Sequence, residues 1–131
     1  MTEYYRTQNN VVAFNNVTLT SSFAGNRHVI ASGGMCKLSI NISYTRGGGE
    51  VNSDLQLQLE SSGDGVNWFP LAIDSTSTVS VITPRVWELQ APGNINILVD
   101  IAYRNMRLSV REASVTTNFG TATVDYTLSG L

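Results

Sequence analysis

The chain has 131 residues, enough for one domain with one core. Hydrophobic residues make up 42%, charged residues only 14%, and eight basic against ten acidic side chains leave a net charge of −2. That balance excludes a duplex nucleic-acid binder, which needs clustered cations to displace counterions, and no apolar run reaches the ~20 residues of a membrane span.

In chain order, "MTEYYRTQNN" lacks alternation and reads as an N-terminal arm over 1–10, with a single β domain over 11–131. "VVAFNNVTLT" and "HVIAS" are weaker strand candidates. "KLSINISYT" then alternates cleanly, with Leu38, Ile40, Ile42 and Tyr44 on one face and Ser39, Asn41 and Ser43 on the other. "TRGGGE" reads as a flexible hairpin tip leading into "DLQLQLE", where Leu55, Leu57 and Leu59 share a face. After "SSGDG" come the candidates "VNWFPLAI", "STVSVI" and "RVWELQ". The last three strands are strongly marked: Ile95, Ile97, Val99, Ile101 and Tyr103 line up, as do Met106, Leu108 and Val110, and then Ala122, Val124, Tyr126 and Leu128. No window has a helical period. Eight or nine short strands with turn clusters between them predict an all-β fold, a single antiparallel β-sandwich with jelly-roll-like connectivity.

Catalytic chemistry is poorly provided for. His28 is the only histidine, Cys36 the only cysteine, and no G-x-S-x-G elbow occurs. One His and one Cys cannot complete a closed zinc site. Asp64 and Asp74 could serve calcium, but they lie at opposite ends of one predicted strand. The expectation is therefore no enzyme, no cofactor and no resident metal. A lone cysteine gives no internal disulfide, and no basic start followed by an apolar run marks a secretory leader, so synthesis in a cytoplasm is expected.

The stretch "SSGDGVNWFPL" carries the most local information. Gly63 and Gly65 suit a chain reversal, and Asp64 can accept from turn amides. Pro70 offers no ladder donor, so its strand is an edge or is broken there. Trp68 is expected to cap one end of the sandwich. The alternative is an exposed platform, with Asp64 and Asn67 bonding sugar hydroxyls beside the Trp68 ring.

The string "LQLESSGDGVNWFPL", followed by the later arginine-bearing strand "NMRLSVRE", resembles two groups of proteins. One is the discoidin-like (coagulation factor 5/8 C-terminal type) β-sandwich, which is usually longer, secreted and disulfide-bonded. The other is a loose set of phage virion β-sandwich proteins of the decoration or fibre-associated type. The match covers roughly 55–112 and is a pattern of structural residues. The virion resemblance implies a structural protein made in the host cytoplasm and located in the virion. Its implied partners are other virion proteins, a major capsid or tail protein among them, and a homo-oligomer with a trimer favoured. No nucleic acid or membrane partner is expected.

For such a role the contact candidates are Tyr4, Tyr5 and Arg6 in the arm, Arg46 in the glycine loop, and Arg85 with Trp87. Tyr, Trp and Arg are favoured at interface hot spots. Trp87 in the core with Arg85 on a solvated edge is the structural alternative. A carbohydrate-binding module using Trp68 or Trp87 is the alternative function.

Overall fold

A computed structural model describes residues 6–7, 10–72, 84–101 and 105–130 of the chain. Among them run ten strand segments: β1 (Arg6–Thr7), β2 (Val11–Thr18), β3 (Arg27–Ala31), β4 (Lys37–Thr45), β5 (Asp54–Ser62), β6 (Phe69–Pro70), β7 (Val86–Leu89), β8 (Gly93–Asp100), β9 (Asn105–Ala113) and β10 (Thr121–Gly130). All pairings are antiparallel.

β1 and β2 share one edge of β10, and β6 and β7 share one edge of β5. The ten segments therefore fill eight strand positions in two sheets. The first sheet runs β1/β2, β10, β4, β8; the second runs β3, β9, β5, β6/β7. Apart from β1 to β2 and β5 through β6 to β7, every connection between the described strands crosses between sheets. That order is the jelly roll, so the expected fold class holds.

The period-two pattern places the core. Leu38, Ile40, Ile42 and Tyr44 of β4 and Ala122, Val124, Tyr126 and Leu128 of β10 face Leu55, Leu57 and Leu59 of β5 and Met106, Leu108 and Val110 of β9. All of these are buried. Each fully buried leucine or isoleucine contributes about 1.5–3 kcal/mol of transfer free energy. These four strands are central in their sheets, so both the opposite layer and the lateral neighbours cover them.

Several local expectations need correcting. "TRGGGE" is not a hairpin tip: β4 and β5 lie in different sheets, and the loop crosses from one to the other. "VNWFPLAI" shrinks to the two residues of β6, in which Pro70 pairs with Glu60 and the Leu71 amide carries the bonding on to the Leu59 carbonyl at 2.9 Å. Arg6 and Thr7 of the expected arm pair with Gly130 and Ser129 as β1. Tyr4, Tyr5, Asp74, "STVSVI" and Tyr103 lie outside the described residues.

Candidate functional site

The Asp64 turn is built as its residue types suggest. Its Oδ1 accepts from the Val66 and Asn67 amides at 2.8 and 2.9 Å and from the Ser62 hydroxyl at 3.0 Å, and its Oδ2 accepts from the Asn67 amide group at 2.8 Å. These donors, led by the Asn67 and Val66 backbone amides, hold the carboxyl well below the usual carboxylate range. Gly65 takes φ of 77°, the conformation that favours glycine. Asp64 and Asn67 are thus engaged with each other and with the turn.

Trp68 is not a cap on the core. It is half-buried, and the Arg107 guanidinium stacks 4.7 Å from its ring centroid. Arg107 lies on the outward face of β9, between the inward Met106 and Leu108, and donates through two nitrogens to Glu60 on β5 at 2.9 Å each. The same face repeats the arrangement two rows away, where Arg111 stacks 4.4 Å from Phe23 and donates to Gln56 at 2.7 Å. Between them Ser109 is buried, its hydroxyl without a hydrogen-bond partner among the described residues.

The second surface lies where the edge strands β7 and β8 meet across the sandwich. Trp87 points inward from β7 opposite Leu57 but stays half-buried, with the exposed Arg85 stacked 5.3 Å from its ring. Trp87 lines two clefts, of about 290 and 380 Å³. The larger runs along Leu71, Leu98 and Val99. The smaller reaches down to the buried Ile42, Leu55 and Leu57. The inward residues of β8 consequently stay in part open: Ile97 and Val99 are half-buried and Ile95 is 42% exposed. On its outer face Leu98 is 64% exposed.

Arg46 is half-buried and bonded to its own chain. It donates to the Ser53 and Gln90 carbonyls, both at 2.8 Å, and so joins the loops before β5 and before β8. Near it sequence reasoning missed a polar clasp. Glu50 accepts from the Thr116, Thr117 and Asn118 amides and from the Thr116 hydroxyl. The three backbone amides, Thr117 first, push its carboxyl down to about 2. Below it Glu112, 1% exposed, accepts from the Gly120 amide at 2.6 Å and from the Tyr44 hydroxyl, which also bonds Ser53. Burial first, and then the Glu112 bond, push the Tyr44 hydroxyl up to about 12.

At the opposite edge of the sandwich His28 on β3 lies 3.0 Å from the Tyr126 hydroxyl, with Phe14 against its ring. Burial lowers its pKa, and among the described residues no acid is hydrogen-bonded to it. Among the described residues no three of His, Cys, Asp and Glu are grouped to hold a metal ion.

The structure therefore brings Asp64, Asn67 and Trp68 together at one end of the second sheet. It pairs Arg85 with Trp87 at the β7–β8 seam, and it places Arg46 apart from both. No family model matches the chain, and no curated protein matches it.

Proposed function

We propose that this chain is a structural protein of a larger assembly, a virion component of the decoration, cement or head- or tail-associated kind. The seam between β7 and β8 carries the reading. There the described residues leave core-facing isoleucine, valine and tryptophan side chains in part open, beside an exposed Leu98. Apolar surface that stays open in this way is removed from water by contact with another macromolecule, at about 25 cal/mol per Å² of area covered. The weakly charged exterior favours the same role, because few charges must be stripped of water on docking. The jelly roll is a frame that shell and lectin domains both use, and it enters here as fold-level analogy.

Mass spectrometry of particles purified from the system that carries the gene tests the proposal. A fixed copy number per particle, beside a major capsid or tail protein, is the expected result. Absence from particles that are otherwise complete would sink it.

A second reading, carbohydrate binding, has one observation in its favour. Trp68 sits half-exposed on the outer face of the second sheet, stacked on Arg107. With Asp64 and Asn67 committed to their turn, that face offers an aromatic ring and arginines. Quenching of tryptophan fluorescence by a glycan, lost in Trp68→Ala and kept in Trp87→Phe, would favour it.

A further inference from the structure

Sheet edges in lone proteins are normally blunted, because unpaired N–H and C=O groups template the addition of another strand. Three of the four edges here are blunted among the described residues. β2 carries two register shifts against β10 and a residue, Asn16, at φ of 49°. β3 is only five residues long. The edge formed by β6 and β7 is broken between them and carries Pro70 and Glu88. β8 differs. It keeps eight residues in unshifted register with β4, has a single charge, Asp100, at its last position, and exposes Leu98.

The direction of its free groups follows from the ladder. The Ile101 amide donates to the Cys36 carbonyl at 2.8 Å, continuing the β4–β8 register. Hydrogen-bonded and non-bonded pairs alternate along an antiparallel ladder. Residues 93, 95, 97 and 99 therefore spend their main-chain groups on β4, and Asn94, Asn96, Leu98 and Asp100 aim theirs at an edge that no described strand covers.

We propose that β8 pairs with β8 of a second copy, antiparallel, about a two-fold axis at Ile97. This rests on the contact role proposed above and names one partner for the seam. The register satisfies three demands, the first two of which follow from a single parity. Asn96 falls opposite Leu98 and Asn94 opposite Asp100, which are the residues with free main-chain groups. Ile95 falls opposite Val99 and Ile97 opposite Ile97, so inward apolar side chains meet only apolar ones. The two Asp100 carboxylates never oppose each other, and each meets an asparagine amide. A one-residue slip would set inward side chains against outward ones. The two open seams then face one another, and each covers the isoleucines of the other. An isologous contact of this kind closes at two copies, so it gives a dimer and not the trimer that the sequence reading favoured.

Light scattering coupled to size exclusion, at micromolar concentrations of the full chain, tests this directly. The expected result is a dimer. Leu98→Pro removes an edge donor without touching the β4 ladder, and should weaken the dimer by at least about tenfold while circular dichroism stays that of the folded chain. Leu98→Lys places an exposed charge on the same edge and should do the same if the proline variant fails to fold. Slow amide exchange at Asn96 and Leu98, lost on dilution, is the residue-level signature. A monomer, a trimer, or a dimer indifferent to both variants would overturn the pairing. A monomeric chain that still enters particles at fixed copy number would leave the contact role standing without it.

Discussion

Two regions of this molecule meet water in opposite ways. At the polar clasp, where the loops before β5 and after β9 come together, carboxylates, amides and hydroxyls are saturated with partners: Glu50 alone takes up three consecutive backbone amides. At the β7–β8 seam the alternating pattern is at least as regular, yet its inward side chains remain half open. Ile40 and Ile97 make the point, since they are direct cross-strand neighbours on one face. Ile40 is fully buried and Ile97 is not. Alternation decides which way a side chain faces. Whether that face is covered depends on the layer opposite, and at an edge that layer thins.

The largest expected effect separates centre from seam. Leu108→Ala on central β9 should cost about 2–5 kcal/mol, because close packing leaves a cavity. Ile97→Ala should cost about 1 kcal/mol, since part of its surface is already wet. Urea denaturation of both variants checks the ratio, and equal losses would mean that the seam is as tightly closed as the core.

Next comes the clasp. Tyr44→Phe removes the hydroxyl that serves both Glu112 and Ser53, and should cost about 1–3 kcal/mol by leaving a buried carboxyl short of a donor. A neutral outcome would mean that these buried groups find other partners. Gly120 lies in the same knot. A Cβ there would fall 2.1 Å from the Thr45 carbonyl oxygen, so Gly120→Ala should force the backbone apart.

The smallest effect is one that acid removes. The Glu50 carboxyl is depressed from 4.5 to about 2, so its contribution is present above the unfolded value and is lost as pH falls through the folded one. Glu50→Gln should therefore be less stable than the parent near neutrality and converge with it by about pH 2. Denaturation midpoints measured across that range show it. A gap that persists at the acid end would assign the contribution to shape and not to charge.

Much of the frame was legible in the residues. The inward faces of β4, β5, β9 and β10 were read correctly because each strand is central and period two suffices for it. Pro70 marked an edge strand for a local reason: its missing donor would point away from β5. What could not be read is non-local. Strand order depends on which distant strand supplies hydrogen bonds, and nothing in "TRGGGE" says that its last residue will seek amides 66 to 68 positions later. Trp68 misled for a similar reason: an aromatic beside a turn can cap a core, but here an outward arginine from another strand offered it a cationic face. Signals existed for the seam in Trp87 and the apolar run of β8, although their meeting across the two sheets is a property of the topology.

The position of β10 has a temporal consequence. It lies second from the edge of the first sheet and pairs with β2, more than a hundred residues earlier, as well as with β4. Contacts that span such separations must close long loops before any burial rewards them, which places folding on the millisecond-to-second side of the known range. Until β10 arrives, β2 and β4 have no strand between them, and the leucines of β5 face a layer that has yet to form.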